Sequence, residues 1–436
     1  MDYFAREMQQ LLAAEYDDFL RTEGRSMYRS LRLNPPKTTF EELSGSGIKL
    51  GERTLFDDNA FYIDEEEADG LHPFHLAGLY YLQEPSAASA VRSLQVKPGH
   101  KVLDLCAAPG GKSTQILSDL QGKGLLWTNE ISFTRSQKLL ANIERWGWDN
   151  YVLTNAEPAL LAERLYGWFD RVLVDAPCSG ASMFKKYPQT RGEYSAQLVE
   201  MNHQRQLEIL ESAYRLLAAD GIMVYSTCTY NTRENEETVA AFLNRHPEME
   251  LIEADPAIKR RGFTGFGIDE RKVARVLPMD GGEGHFAAAM FKRETCQKAR
   301  IPLRPFTRNA VADRFFKEHF RKTPNYAVVD DRVYLSEESL PQFSSHLLRS
   351  GILAGEIVNG RFEPHHHLFV SRYAPYFEPK AELDEKNVQR YLKGETLPAN
   401  GLKGHVAICF QGHSLGFGKA DGRLIKNKYP KGLRLK

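Results

Sequence analysis

The sequence predicts an α/β protein built on a doubly wound parallel sheet, with a small α+β module before it and a β-rich region after it. Strand-like apolar runs alternate with helical patterns between residues 102 and 291, which is typical of such a sheet. After residue 293 the pattern changes to short apolar runs separated by glycines. We therefore expect four units, at residues 1–72, 73–293, 294–375 and 376–436, the third of them α+β.

The N-terminal unit begins with apolar residues at helical spacing, which predict an amphipathic helix over residues 3–22. A short strand is expected over residues 30–34, because two prolines follow it and would end it. Residues 75–94 have the spacing of a second helix. The acidic side chains Glu65, Glu66, Glu67 and Asp69 precede Gly70, and we place the first boundary near them.

The central unit contains the alternating pattern. Strands are predicted at residues 102–106, 124–130, 151–154, 171–175, 222–226 and 286–291. Helices are predicted from residue 112 and over residues 132–146, 196–218 and 232–245. Asp220 and Gly221 are expected to cap the long helix at its C-terminus. Its predicted buried face is Leu198, Met201, Leu207, Leu210, Ala213 and Leu217.

Composition excludes several classes of protein. Hydrophobic residues make up 42% and charged residues 26% of the chain, as in ordinary soluble proteins. The N-terminus has no basic segment leading into an apolar run, and no run is long enough to span a membrane, so we expect a cytoplasmic protein. The cysteines are Cys106, Cys178, Cys228, Cys296 and Cys409, with no CxxC pair. This favours neither a disulfide framework nor a cysteine zinc site.

A glycine-rich turn follows the first strand of the central unit. Cys106 stands where a phosphate-binding P-loop needs glycine, and no GxGxxG is present. A strand, a small-residue turn and a helix N-terminus present backbone N–H groups to an anion. We therefore predict an S-adenosylmethionine site, whose carboxylate needs such groups. The turn consists of Cys106, Ala107, Ala108, Pro109, Gly110, Gly111 and Lys112.

Further cofactor contacts are expected at the next two strand ends. Glu130 follows Gly110 by 20 residues, the spacing at which a carboxylate can accept ribose hydroxyls. Capping of the next helix is the alternative role for Glu130. After the third strand, Asn155 and Glu157 are both candidates to contact the adenine edge.

Two cysteines follow the fourth and fifth predicted strands. Cys178 comes shortly after Asp175, and Cys228 follows the next strand. A lone cysteine is usually a small core residue. Two cysteines at neighbouring strand ends beside an acid instead indicate reactive thiols, because reactive thiols need a polar, accessible setting.

The motifs resemble those of a known family. Three motifs resemble the signatures of the Sun-type RNA 5-methylcytidine methyltransferases. They are DLCAAPGGKST (residues 104–114), VDAPCSG (174–180) followed by MFKK (183–186), and YSTCTY (225–230) followed by Glu234, Asn235 and Glu236. GEGHF (282–286) and NKYPKGLR (427–434) resemble its bacterial RsmF branch, which modifies small-subunit ribosomal RNA. The resemblance implies a Rossmann-like methyltransferase domain and a PUA-like C-terminal module.

Two positions depart from the family pattern. Gly180-Ala181-Ser182 stands where Gly-Glu-Gly is usual, so a backbone contact or a charge differs there. Pro364-His365-His366 stands where Pro-Ser-His is usual, which creates a run of three histidines. We interpret that run as a loop rather than a metal site, because no acid or thiol lies at ligand spacing.

The resemblance also implies a mechanism. Carbon 5 of cytosine is a poor nucleophile until a thiolate adds to carbon 6. By resemblance Cys228 is the attacking residue and Cys178 assists release of the product, while the residues alone leave their order open. Asp175 is expected to hydrogen-bond a flipped base. Lys112 is a candidate to lower a thiol pKa or position the base; the alternatives are a phosphate contact or a helix-surface lysine.

The predicted activity is methylation of carbon 5 of cytidine in 16S ribosomal RNA, naked or in a particle, by a monomer without metal. Transfer RNA as substrate, or a non-catalytic RNA-binding assembly factor, are the alternatives. The formal net charge is +0, which by itself argues weakly against nucleic-acid binding. The end of the chain is nevertheless basic, with Lys419, Arg423, Lys426, Lys428, Lys431, Arg434 and Lys436 against Asp421. We expect this tail to contact phosphates, and Arg32 and Asn34 to contact RNA as well.

Overall fold

The computed structural model describes residues 2–64, 67, 69–294 and 297–435. Glu65 and Glu66 of the acidic run, Cys296 and Lys436 lie outside the described residues. Within the described part, no helix is both long enough and apolar enough to cross a membrane.

The N-terminal module is a three-stranded antiparallel sheet with helices around it. Its elements are α1 (Tyr3–Leu12), α2 (Tyr16–Glu23), β1 (Ser30–Leu33), α3 (Phe40–Gly45), β2 (Ala60–Tyr62), α4 (Pro73–Leu76) and β3 (Tyr80–Gln83), with strand order β2-β1-β3. The predicted helix over residues 3–22 is present, but a 3-10 turn divides it into α1 and α2.

The prediction of one continuous helix over residues 75–94 is wrong. Strand β3 occupies its middle and pairs with β1, so that Leu82 lies opposite Leu31. Gly78, with a φ of +74°, ends the short helix α4, and Pro85 separates β3 from the next helix. The spacing of a short apolar run does not by itself distinguish a helix from a strand. Here the pairing with the buried strand β1 stabilises the strand conformation.

The central unit carries the remaining helices and strands up to residue 292. In chain order they are α5 (Ser89–Leu94), β4 (Lys101–Asp104), α6 (Gly111–Leu120), β5 (Leu125–Asn129), α7 (Phe133–Trp146), β6 (Tyr151–Thr154), α8 (Pro158–Arg164), β7 (Phe169–Asp175), α9 (Ala196–Leu216), β8 (Leu217–Thr227), α10 (Glu236–Arg245), β9 (Met249–Ile252), β10 (Ala274–Val276) and β11 (His285–Lys292). The predicted strands are all present, and β9 and β10 are additional.

The C-terminal half is rich in strands. Its elements are α11 (Ala310–His319), β12 (Tyr326–Val329), β13 (Arg332–Leu335), β14 (Leu347–Ser350), β15 (Ile352–Val358), β16 (Arg361–Pro364), α12 (His366–Val370), β17 (Lys380–Leu383), α13 (Glu385–Leu392), β18 (Leu397–Pro398), β19 (Lys403–Phe410), β20 (His413–Asp421) and β21 (Leu424–Asn427). Apart from β14, which joins the central sheet, these strands form the sheets β12-β13-β15-β16 and β17-β19-β20-β21-β18.

The central sheet confirms the predicted fold class. Its order is β10-β11-β8-β7-β4-β5-β6-β14, and strands β4 to β8 run parallel. Along the chain, β5 and β6 are added on one side of β4, and β7 and β8 are then added on its other side. The topological switch point therefore lies between β4 and β7. Ligands of open α/β sheets bind beyond the carboxyl ends of strands at such a point. Strand β14, from the third predicted unit, pairs antiparallel with β6; the proposed unit boundaries remain a prediction.

Two details of the long helix were predicted wrongly. Helix α9 ends at Leu216, and β8 begins at the next residue because Leu217 pairs with Phe169 of β7. Asp220, with a φ of +57°, forms an irregular turn inside the strand rather than a helix cap. Met201, expected on the buried face, is 55% exposed. Polar side chains, including His203 and Gln206, are buried there instead.

Arg32 and Asn34 face the protein interior and do not form an RNA-facing surface. Arg32 is 2% exposed and donates 2.7 Å hydrogen bonds to the Gly111 carbonyl and the Thr114 hydroxyl. Asn34 is fully buried and donates to the carbonyls of Gly78 and Trp146. The expectation that these residues contact RNA is therefore wrong; they join the N-terminal module to the central one.

The histidine run and the basic tail lie in the C-terminal half. His366 and His367 belong to helix α12 rather than to a loop, and the His367 ring lies 2.9 Å from Glu144. Tyr429 is 3% exposed, so its ring belongs to the core. The tail side chains Lys419, Arg423, Lys426, Lys428 and Lys431 are exposed. Phosphate contacts by this tail remain a prediction.

Candidate active site

The predicted site residues Asp175, Cys178 and Cys228 meet at the carboxyl edge of the sheet. Strands β7 and β8 pair in parallel, with Asp175 opposite Ser226. Each chain segment leaves the sheet shortly after this pair, so the two cysteines are brought side by side. The Cys178 and Cys228 Sγ atoms lie 3.2 Å apart.

The two thiols have opposite pKa shifts. Their mutual hydrogen bond, with burial, raises the pKa of Cys178 well above its ordinary value. The same hydrogen bond lowers the pKa of Cys228, and the charge of Lys112 contributes in the same direction against burial. A thiolate is the nucleophile, so such a pair can supply one ionised and one protonated thiol; the assignment of Cys228 as the attacking residue remains a prediction.

Lys112 and Asp175 form an ion pair beside the thiols. The Lys112 Nζ lies 2.8 Å from Asp175 Oδ2, and the Ser226 hydroxyl donates to Asp175 Oδ1 at 2.8 Å. Burial alone would raise the pKa of Asp175, but Lys112 and its other partners hold it below the ordinary value. Asp175 is therefore an ionised acceptor, as recognition of a cytosine amine requires.

His285 also lies at this edge and was missed as a site residue. It begins β11, which runs antiparallel to β8, with Phe286 opposite Thr227. Its Nε2 lies 3.7 Å from Asp175 Oδ1 and forms no hydrogen bond with the described residues. Burial and the charge of Lys112 lower its pKa to about 3, so the ring is neutral. Its place in the GEGHF motif was the feature of the sequence that could have indicated a site residue.

Glu234 holds the loop that carries Cys178 and was also missed. Its carboxylate accepts hydrogen bonds from the backbone N–H and hydroxyl of Ser179. The amides of Asn231 and Gln206 donate to the same carboxylate at 2.8 and 2.9 Å. Gln206 also donates to the Pro177 carbonyl at 3.0 Å. The two neighbours of Cys178 in the chain, Pro177 and Ser179, are thereby held in place by buried side chains.

Ser182, one of the departures from the family pattern, supports Cys228. Its backbone N–H and its hydroxyl donate to the Cys228 carbonyl at 3.1 and 2.8 Å. The difference predicted at Gly180-Ala181-Ser182 therefore includes a hydroxyl contact to the segment that carries the second thiol.

Two neighbouring cavities lie at the switch point. The first, of about 410 Å³, is lined by both thiols, Asp175, Lys112 and His285. The second, of about 460 Å³, lies beyond the ends of β5 and β6. The residues that line both are Cys106, Arg135 and Pro177. The two cavities therefore lie side by side, one at the thiols and the other at Glu130 and Glu157.

The predicted cofactor turn fits S-adenosylmethionine. Gly110 has a φ of +112°, a conformation that favours glycine, and Gly111 begins α6. The first N–H groups of α6 have no partner within the helix and can receive a carboxylate. A Cβ on Gly111 would lie 3.2–3.3 Å from the side chains of Gln83 and Tyr81, so any larger residue would crowd this wall of the cavity.

The remaining cofactor candidates surround the second cavity. Glu130 lines it and also accepts the N–H of Ser132, the residue before α7, at 2.9 Å; this contact holds the turn into α7 but does not cap the helix, and the ribose contact remains a prediction. Glu157 lines the cavity. Asn155 donates its amide hydrogens to the carbonyls of Glu130 and Ile131 at 2.6 and 2.8 Å. Of the two residues predicted to contact adenine, Glu157 lines this cavity, whereas the amide hydrogens of Asn155 are used within the protein.

A doubly wound sheet, a glycine turn at its switch point and a cavity running from that turn to reactive groups define a Rossmann-like methyltransferase. Comparison with the sequence profiles of known families identifies the family within this class. The profile of the 16S rRNA methyltransferase RsmB/F family matches residues 91–291. The profile of the N-terminal domain of 16S rRNA methyltransferase RsmF matches residues 2–85, and that of the methyltransferase RsmF PUA domain matches residues 378–435.

Whole-length relatives agree with these profiles. The ribosomal RNA small subunit methyltransferase F of Cronobacter sakazakii is 30% identical over 96% of this chain and 92% of its own length. That of Escherichia coli O157:H7 is 27% identical over 99% and 96%. A methyltransferase homologue from Pyrococcus horikoshii has a TM-score of 0.57 at 25% identity, covering 66% of this chain and 94% of its own.

The chain therefore belongs to the RsmB/F family of 16S rRNA methyltransferases, in its RsmF branch. This confirms the resemblance found in the motifs, the fold with its PUA-like C-terminal module, and the cofactor, S-adenosylmethionine. The protein is an RNA cytosine-5 methyltransferase.

Proposed function

We propose that the protein methylates carbon 5 of a cytidine in 16S ribosomal RNA through a covalent adduct with Cys228. The observation that carries this proposal is the 3.2 Å contact between the Cys178 and Cys228 thiols next to the Lys112–Asp175 ion pair. One ionisable thiol, one protonated thiol and one anchored carboxylate are the groups that this reaction needs.

The reaction begins with the flipped base. Asp175 accepts a hydrogen bond from its exocyclic amine, and the Cys228 thiolate forms a bond to carbon 6, so that carbon 5 becomes nucleophilic. Bound S-adenosylmethionine supplies the methyl group. A proton then passes from carbon 5 to water, the electrons of the C–H bond restore the double bond to carbon 6, and the Cys228 sulfur departs as thiolate. Cys178, the thiol with the raised pKa, assists this release.

Other residues maintain the geometry. Lys112 keeps Asp175 ionised and lowers the pKa of Cys228, so a lysine at the start of α6 serves both groups. The turn from Cys106 to Lys112 and the carboxylates of Glu130 and Glu157 would hold the cofactor. The exposed basic tail of the PUA-like module would hold RNA phosphates.

Tritium transfer from labelled S-adenosylmethionine tests the proposal. Small-subunit RNA, assembled small subunits and transfer RNA would each be incubated with the full chain, and labelled 5-methylcytidine would be quantified in RNA digests. We expect label in 16S RNA, as naked RNA or in the subunit. Label in transfer RNA alone would replace the proposed substrate, and no label in any RNA would contradict the proposed activity.

A further inference from the structure

A basic groove adjoins the catalytic cavity on the side of the N-terminal module. It has a volume of about 650 Å³ and lies between the loop at residues 24–29 of the N-terminal module and the segment at residues 183–186. Gln83, Met183 and Lys186 are among the residues that line both the groove and the catalytic cavity, so the two spaces are adjacent.

The groove is electropositive. Arg25, Arg29, Lys185 and Lys186 line it, with Glu23 and Glu84 as the acids. Glu84 accepts N–H groups from Ser86, Ala87 and Glu283, and Glu23 lies 2.8 Å from Arg191. Both acids are therefore engaged within the protein, whereas neither Arg25 nor Lys186 forms an ion pair in the described part of the chain.

The groove also has surfaces suited to bases. Tyr28 and Met183 line it. The Tyr28 backbone N–H donates to Glu283 at 2.8 Å, and the same carboxylate lies 3.0 Å from Lys185. Glu283 is 1% exposed and thereby holds both walls of the groove in position. A groove that combines cations with an aromatic side chain, here Tyr28, has features with which proteins hold single-stranded nucleic acid.

Taken with the proposed function, on which this step rests, we infer that the groove binds the single-stranded RNA nucleotides next to the target cytidine, with Arg25 and Lys186 on their phosphates. A flipped base needs its neighbouring backbone held beside the pocket, and this groove is a basic surface that shares a wall with the catalytic cavity. The N-terminal module thus contacts RNA through its 24–29 loop, whereas its buried Arg32 and Asn34 hold the modules together.

Direct RNA binding tests the inference without requiring catalysis. The probe is a fluorescent single-stranded oligoribonucleotide containing cytidine, titrated by anisotropy against the full chain at several salt concentrations. The variant is Arg25→Gln with Lys186→Gln. The matched control is Lys123→Gln with Arg164→Gln, which removes two exposed charges at the opposite edge of the sheet.

We expect the groove variant to bind the RNA several-fold more weakly. The slope of log affinity against log salt should fall by about 0.7 for each lost phosphate contact. The control should match the wild type, and affinity for S-adenosylmethionine, measured by calorimetry, should be unchanged in both. Wild-type affinity and slope in the groove variant, or an equal loss in the control, would overturn the inference while leaving the proposed function intact if the wild type still methylates RNA.

Discussion

Cys178 Sγ lies 3.2 Å from Cys228 Sγ although 50 residues separate them in the chain. The pairing of β7 with β8 sets this distance, because it aligns Asp175 with Ser226 just before each segment leaves the sheet. Two thiols this close titrate as a coupled pair, so that ionisation of one suppresses ionisation of the other. The pair therefore offers one thiolate and one thiol.

The thiol pair predicts different fates for two alanine variants. Cys228→Ala should abolish methyl transfer, because no nucleophile remains to activate carbon 5. Cys178→Ala should accumulate an RNA–protein adduct that survives a denaturing gel. Cys409→Ala, which removes a buried thiol of the C-terminal module, is the control and should retain activity. An adduct in Cys228→Ala instead would reverse the roles of the two cysteines.

The short distance also predicts sensitivity to oxidation. A thiol oxidant such as diamide, reduced to its hydrazine, should join the two sulfurs in a disulfide with loss of both thiol hydrogens, and dithiothreitol should restore activity. Mass spectrometry of a non-reduced digest should show the peptides of Cys178 and Cys228 linked. Loss of activity while both thiols can still be alkylated would rule this explanation out.

Lys112 is expected to act through charge. Lys112→Met should lower kcat by about 10²-fold or more, because Asp175 and Cys228 both lose the cation that favours their ionised forms. Since both pKa values then rise, the acidic limb of the pH–rate profile should move to higher pH. Lys112→Arg should retain part of the activity. An unchanged profile in Lys112→Met would assign Lys112 to helix packing alone.

The sequence led to the thiol pair because parallel strands end at one edge of a sheet, so Asp175, Cys178 and Cys228 could be placed together before any coordinates. His285 could not be found this way, since it reaches that edge from an antiparallel strand. Glu234 stands in one of the family motifs but was not predicted as a site residue, because a loop acid gives no sign of being buried. Arg32 was misjudged for a related reason: arginine is rarely buried, and its carbonyl and hydroxyl partners come from residues about 80 positions away.

Glu234 should prove to be a positioning residue for Cys178. Glu234→Ala leaves the Ser179 N–H without its acceptor and removes one of the two acceptors of the Gln206 amide. An unpaired buried group costs about 1–3 kcal/mol. We expect kcat to fall while the dissociation constant for S-adenosylmethionine stays near the wild-type value. Glu237→Ala, which removes a half-buried partner of Arg233 nearby, is the control. Equal losses in both variants would indicate general destabilisation.

Lys37 links the N-terminal, central and C-terminal modules, and its titration should be visible in stability. Its Nζ donates to the carbonyls of Ala77, Arg145 and Val370 at 2.9, 2.8 and 2.6 Å. Burial, with the charge of Arg145, lowers its pKa from 10.5 to about 7. Between these values the unfolded chain binds more protons than the folded one, so this group's contribution to the free energy of unfolding rises with pH, by up to about 1.4 kcal/mol per pH unit.

Lys37→Met should remove that pH dependence. The variant also leaves three carbonyls without a donor, so it should be less stable than the wild type at neutral pH. The stability difference between the two proteins, from urea unfolding followed by coincident probes, should then grow from about pH 7 to about pH 10. A difference that stays constant over this range would mean that the ammonium keeps its charge among the carbonyls, and that hydrogen bonding outweighs the loss of solvation at this junction.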